Sequence, residues 1–161
     1  MSSVGSSVTV MAEVGGLARI LITGMSGAGK STLLEELRRR GHLTVDTDYD
    51  GWKLLDARWD ELRMSDLLAS HHDVVVSGTV ENQGRFYDRF EHVVLLSAPV
   101  EVLIERVGTR TSNPYGRSAE QQAEIRKYLV EIEPLLRQGA GVELDGRRSP
   151  SELASAVEAL M

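Results

Sequence analysis

Apolar residues recur along this chain in two alternating rhythms. Leu17-Ala18-Arg19-Ile20-Leu21-Ile22-Thr23 is a short, partly β-branched run of the kind a buried strand carries. Thr32-Leu33-Leu34-Glu35-Glu36-Leu37 then sets its leucines at i, i+1 and i+4, on one helical face. The spacing predicts a helix from Gly29 to about Arg40, stopped by Gly41 as its C′ residue, with Arg38, Arg39 and Arg40 complementing the dipole in its last turn. His42 to Asp48 reads as a second strand. Residues 49–70 place Trp52, Leu54, Leu55, Trp59, Leu62, Met64, Leu67 and Leu68 at broadly helical spacing, which predicts mostly core. Asp73-Val74-Val75-Val76-Ser77-Gly78 is a continuous β-branched run that fits a central parallel strand. A fourth strand follows at His92–Ala98, then a helix over Val100–Val107 opened by Pro99. Ser118-Ala119-Glu120 caps a long helix reaching about Gln138, which Pro134 should kink or divide. Gly141–Asp145 is a fifth strand, and a last helix begins near Ser149. Strands alternating with helices predict an α/β fold around a parallel sheet.

The turn between the first strand and the first helix carries the candidate chemistry. Gly24-Met25-Ser26-Gly27-Ala28-Gly29-Lys30-Ser31-Thr32 fits G-x-x-x-x-G-K-[ST], and it stands in the strand–loop–helix context that this phosphate-binding loop requires. Glycines let the backbone curl so that successive N–H groups face inward as an anion nest. The helix adds its positive end and its unpaired N–H groups. Gly24, Ser26, Gly27, Ala28, Gly29, Lys30, Ser31 and Thr32 are therefore candidate nucleotide ligands. Lys30 supplies a point charge for the β- and γ-phosphates, and Ser31 a hydroxyl for Mg²⁺.

Composition narrows the partners. With 161 residues, 42% hydrophobic and 26% charged, the chain suits one globular domain, predicted over 17–161. Residues 1–16 are rich in Ser, Gly and Val without the pattern of a secretion signal, and are expected to be a leader. A net charge of −6 argues against nucleic acid or an anionic membrane as the main partner. No cysteine is present, which excludes disulfides and thiolate metal sites. No apolar run approaches the length of a membrane span, so a cytoplasmic monomer or homodimer is expected. Of the basic residues, fifteen are arginine and three lysine, one of them Lys30.

The second strand ends in Asp46-Thr47-Asp48. A ten-residue helix descends ~15 Å and a strand climbs back at ~3.3 Å per residue, so a right-handed crossover returns both carboxylates to the edge that carries the glycine loop. One carboxylate can orient Mg²⁺ through water, and the other can accept a hydroxyl proton.

Gly24–Thr32 followed by Val45-Asp46-Thr47-Asp48 resembles the small P-loop kinases of the nucleoside monophosphate kinase and shikimate kinase group, an AAA-type ATP-binding family. The resemblance spans roughly residues 17–160. It implies a P-loop NTPase three-layer α/β/α sandwich with a five-stranded parallel sheet and a lid. By that similarity Asp46 is the metal-side carboxylate and Asp48 the acceptor-side one. The polar loop Gly78–Tyr87 corresponds to a turn that contacts the acceptor, which makes Asn82, Gln83 and Arg85 candidate acceptor ligands. It matches neither the Asp-Gly-Phe-Pro-Arg turn of adenylate kinases nor the triple glycine of shikimate kinases. The segment near 109–118 resembles the lid, with Arg110 and Arg117 as the guanidiniums that reach the transferring phosphoryl group and Arg106 next. Arg147, after the fifth strand, corresponds to the adenine pocket.

The implied activity is transfer of a phosphoryl group from Mg-ATP to a small-molecule acceptor, with Lys30, Asp48, Arg110 and Arg117 catalytic. The alternative is a nucleotide-binding switch or a degenerate kinase fold with only slow hydrolysis. Neither the Asn-Lys-x-Asp of GTPases nor the Leu-Ser-Gly-Gly of transporter ATPases occurs. The third strand ends in Ser77 rather than the acidic residue of motor ATPases.

Overall fold

The computed structural model describes residues 17–109 and 115–161; the leader at 1–16 and Arg110 lie outside them. Five strands form one parallel sheet in the order β2-β3-β1-β4-β5: β1 (Arg19–Thr23), β2 (Thr44–Asp46), β3 (Val74–Ser77), β4 (His92–Ser97) and β5 (Val142–Asp145). Alternate residues of the central strands serve two cores, as the pleat requires. Ile20, Ile22 and Val75 pack in the larger core, with leucines of α1 (Lys30–Arg39) and residues of α6 (Pro150–Glu158). Leu21, Val74 and Val76 face the smaller one, built on Trp59, Phe86 and the Met64 and Leu68 of α2 (Glu61–Ser70). Helices cover both faces, giving the expected three layers.

The local signals are realised closely at the helix ends. Gly41 adopts φ 95°, its N–H reaches the Arg38 carbonyl, and His42 N reaches the Leu37 carbonyl, the paired bonds of a Schellman cap. The predicted long helix divides at Ile132 into α4 (Ala119–Glu131) and α5 (Glu133–Gly139), with Pro134 in the first turn of the second. Ser118 caps α4, and Ser149 caps α6 in a full capping box with Glu152. The helix opened by Pro99, α3 (Val100–Thr109), runs two residues beyond the predicted end.

Residues 49–70 depart from expectation. Only Glu61–Ser70 is helical, capped by the Asp60 side chain, and residues 49–60 are turns with one antiparallel bridge between Lys53 and Trp59. Leu54, Leu55 and Leu62 are exposed, while Trp59 is fully buried. The Trp59 indole N–H donates to Thr47 Oγ1 (2.9 Å), and that hydroxyl donates to the Ser77 carbonyl (2.8 Å). One buried aromatic with a polar tip therefore anchors a segment that helical spacing had suggested was continuous.

Arg40 was expected to serve only the helix dipole. It also bonds Glu36, Ser151 and Glu158, and His42 Nε2 lies 2.6 Å from Glu158 Oε2, so these residues tie α1 to α6. The neighbouring His42 and Arg40 hold the Glu158 carboxyl below its ordinary value. A depressed carboxylate adds stability above the unfolded-state pKa and loses it as pH falls through the folded one. Glu158→Gln is accordingly expected to lower the melting temperature by roughly 2–4 °C at pH 7, a shift of about 1 kcal/mol for a domain of this size, and to narrow the gap from wild type below pH 4. Thermal melts at both pH values check this; an equal gap at both refutes it.

Candidate active site

The glycine loop is shaped by close approaches that a side chain would obstruct. Gly24, Gly27 and Gly29 have φ of 154°, 86° and 106°. A Cβ on Gly24 would collide with the Leu96 carbonyl, and one on Gly27 would come within 2.8 Å of the Leu103 carbonyl. The loop is seated on β4 and α3 by backbone contact, which only glycine allows.

Polar groups fix it from two sides. Thr79, two residues beyond β3, donates to the Gly24 carbonyl (2.5 Å) and accepts from the Gly24 N–H (3.2 Å). On the other side Arg106 donates from Nη1 to the carbonyls of Gly27 and Ala28 (3.2 Å each) and from Nη2 to the Gly146 carbonyl (2.8 Å). Arg106, ranked as a lid candidate from sequence, is a clasp between α3, the loop and the turn after β5. Gly146 itself lies so near the loop that a Cβ would stand 2.5 Å from the Ala28 carbonyl. Lys30 Nζ donates to the carbonyls of Gly24 (2.6 Å) and Met25 (3.1 Å), which holds the ammonium at the mouth of the loop.

Asp46 Oδ2 accepts from Ser31 Oγ at 2.7 Å. This is the pair of hard oxygen donors that the sequence assigned to Mg²⁺. Among the described residues no group of three or more His, Cys, Asp or Glu is arranged to hold a metal by itself. That fits a cation which takes one carboxylate, one hydroxyl and the nucleotide's own oxygens. Asp46 also stands level with Ser77 in the β2–β3 register, so the acid comes from the strand beside the one whose end lacks it.

A cavity of about 750 Å³ opens beside the loop. Gly24, Met25, Ser26 and Lys30 form one side, Asp48 and Lys53 a second, and Thr79, Glu81, Gln83 and Tyr87 a third, with α4 and α5 opposite. Asp48 lies beyond the end of β2, with its N–H on Asp46 Oδ1 (3.1 Å) and its own Oδ1 3.1 Å from Lys53 Nζ. Lys30 and Asp48 thus face one space.

The loop after β3 is corrected in part. It becomes a 3₁₀ helix, Gln83–Arg89. Asn82 is only 4% exposed, and its amide is spent inside the protein: Oδ1 accepts from Trp59 N (3.0 Å), and Nδ2 donates to Trp59 O (3.1 Å) and Glu61 Oε2 (3.0 Å). It clamps the Trp59 segment and is not an acceptor ligand. Arg85 pairs with Glu61 at 3.4 Å and is outside the lining. Gln83 does line the cavity, but its side chain is committed to Val80 N, Thr23 Oγ1 and the Tyr87 hydroxyl. Arg117 is exposed on the turn before α4 and does not line the cavity. Arg147 forks onto Asp145 at 2.8–3.2 Å and holds that carboxyl at about 2. With it, Arg147 borders a separate shallow cavity of about 570 Å³ on the β4–β5 side.

Sequence reasoning overlooked Lys53 and Thr79. Lys53 had a signal, being one of three lysines and five residues past Asp48. Thr79 had none, because its role depends on which strand neighbours β1.

Residues 20–127 match the AAA domain family. No curated protein matches the chain. Among solved structures, a shikimate kinase from Acinetobacter baumannii in complex with shikimate is 21% identical, with a TM-score of 0.71 over 92% of this chain and 94% of that one. A shikimate kinase from Bacteroides thetaiotaomicron is 20% identical, with a TM-score of 0.70 over 90% and 98%. An unliganded sugar kinase from Janibacter sp. is 18% identical, with a TM-score of 0.58 over 89% and 94%. At these identities the likeness is one of fold, and it extends over nearly the whole of each partner. The glycine loop, its strand and helix, and the five-stranded order around it agree with the family match: the chain belongs to the AAA domain family and has the fold of the small P-loop kinases.

Proposed function

We propose that the protein is an ATP-dependent phosphotransferase that moves the γ-phosphoryl group to a hydroxyl or phosphate of a small molecule. The observation that carries this reading is the single cavity shared by Lys30 and Asp48. A switch needs the loop and the metal pair, but it has no need of an acceptor-sized space with a carboxylate beside the phosphate site. The neighbours named as shikimate and sugar kinases lend support, since their named substrates carry hydroxyl groups.

The chain's own groups suit the chemistry of phosphoryl transfer, which is largely positioning and charge stabilisation. The N–H groups of Gly27–Lys30 and the α1 terminus cradle the phosphates, and the Lys30 ammonium turns from the Gly24 and Met25 carbonyls toward the β- and γ-oxygens. Ser31 and Asp46 would hold Mg²⁺, which would supply neutralisation of phosphate charge. Asp48 accepts the proton of the attacking hydroxyl, or orients that hydroxyl, and Lys53 fixes the carboxylate by its 3.1 Å contact. Arg110 and Arg117 are the lid cations in this reading, reaching the phosphates on closure over the cavity. Arg147 would border the base. The enzyme works in the cytoplasm as a monomer or homodimer.

Lys30→Ala is expected to lower kcat/KM by about 10²–10³-fold, the usual cost of one transition-state charge partner, with an unchanged melting curve. Retained turnover would refute the loop assignment. Asp48→Asn should lower kcat by about 10²–10⁴-fold while sparing ATP binding measured by calorimetry, the range of a lost general base. Equal losses in both measurements would assign Asp48 to nucleotide binding instead. Arg106→Ala removes donors from three carbonyls and is expected to weaken ATP binding by about 1–3 kcal/mol, with kcat less affected. Calorimetry and steady-state rates separate the two effects, and unchanged affinity would leave Arg106 a purely structural brace.

A further inference from the structure

We infer that the phosphoryl acceptor is an uncharged hydroxylated compound with one apolar face. The inference rests on the phosphotransferase reading and specifies the chemistry of its cavity. Two lysines and two carboxylates line it: Lys30, Lys53, Asp48 and Glu81. Lys30 belongs to the phosphate side. What remains for an acceptor is Lys53, already 3.1 Å from Asp48, and two carboxylates. An acceptor carboxylate or phosphate would meet two carboxylates there whose cations are already paired, Lys53 with Asp48 and Arg58 with Glu81, and bidentate recognition of such groups is the work of arginine.

No arginine lines the cavity among the described residues, and four on the segments 58–63 and 85–89 have partners within the protein. Each of these is engaged elsewhere. Arg58 reaches Glu81 (3.0 Å) and Arg85 reaches Glu61. Arg63 donates to the Asp50 carbonyl (2.5 Å) while its guanidinium stacks over Trp52 at 4.0 Å. Arg89 is bound to Ser65. Among the described residues the fork that an anion would need is thus absent from the lining.

The rest of the lining suits a neutral ligand. Asp48 offers an acceptor oxygen, and the Tyr87 hydroxyl, which accepts from Gln83, offers a proton, to the hydroxyls of such a ligand. Across from them Tyr128, Ile132, Leu135 and Leu136 present an apolar wall where α4 breaks into α5. Tyr128 is 43% and Leu135 60% exposed. Covering such apolar surface favours a ligand with a matching face.

The test is ADP release from Mg-ATP with matched acceptor pairs: sugar alcohols and alkyl or aryl glycosides against aldonates and sugar phosphates of the same skeleton, together with amino sugars. The uncharged member of each pair is expected to be preferred at least tenfold in kcat/KM, and an aryl group to lower KM. Leu135→Ser, at an exposed position that the fold tolerates, should raise KM for the aryl glycoside more than for the plain polyol. Preference for the anionic members, or turnover of aminated members alone, overturns this inference while leaving phosphoryl transfer intact. No acceptor raising ADP release above the ATP-only rate overturns both.

Discussion

The carbonyl of Gly24 is the point on which the site depends. It accepts Lys30 Nζ at 2.6 Å and Thr79 Oγ1 at 2.5 Å, so one oxygen links the phosphate-binding cation, the end of β1 and the turn after β3. The oxygen is available to both donors only because Gly24 takes a backbone angle that other residues avoid, pressed against the Leu96 carbonyl of β4. A loop held this way needs little reorganisation when an anion arrives. The groups that hold it come largely from outside it: Leu96 of β4, Leu103 and Arg106 of α3, Thr79 beyond β3 and Gly146 beyond β5.

The placement of the acid follows from sheet order. In a parallel sheet with β3 next to β1, the end of β3 stands closest to the loop, and Ser77 leaves it without a charge. Asp46 stands one strand further out, level with Ser77, and reaches Ser31 at 2.7 Å. A serine at the nearer strand leaves room for Thr47 and Trp59 to pack against that end: the Thr47 hydroxyl bonds the Ser77 carbonyl, and Gly78 lies against both Thr47 and the indole. Moving the carboxylate outward and burying a tryptophan are thus two aspects of the same arrangement. It also brings the next carboxylate, Asp48, past the strand end and into the lining of the cavity.

The sequence read well wherever a single residue determines the backbone locally. Gly41, Pro134, Pro99 and Ser149 each end, break or start a helix for reasons contained in their own covalent structure, and the strands of a buried parallel sheet declare themselves as β-branched runs. The phosphate side of the site was legible for the same reason, since the loop is contiguous and its donors are mostly backbone. The acceptor side was not. Asn82, Gln83 and Arg85 looked like ligands because they are polar and follow a strand at the active edge, but polarity does not reveal which way an amide points. Asn82 and Gln83 are nearly buried and bond their own protein, as buried amides must. Residues 49–60 failed in the opposite way: their apolar spacing imitates a helix, whereas one residue, Trp59, is anchored and several leucines remain exposed.

Charge composition alone does not tell which cations meet a ligand. Fifteen arginines suit phosphate clamps and ordinary surfaces alike. Where they are described, many are structural: Arg19 on Glu91, Arg40 on Glu36 and Glu158, Arg137 on Glu133 and Glu143, Arg147 on Asp145. A planar fork is as effective at joining two elements as at holding a ligand, and a paired guanidinium contributes little net field. What distinguishes a ligand-binding cation is that the fold aims it at open space. Of the positively charged side chains described, Lys30 and Lys53 are the two at the large cavity, and both are lysines, the rarer cation by far in this sequence. A compact ammonium on a flexible stem can leave a carbonyl or carboxylate and follow a phosphoryl group through its transfer, where a forked, pre-committed guanidinium would have to break several bonds at once. Among the described residues the two cations at the large cavity are thus lysines, while the arginines named above join elements of the fold.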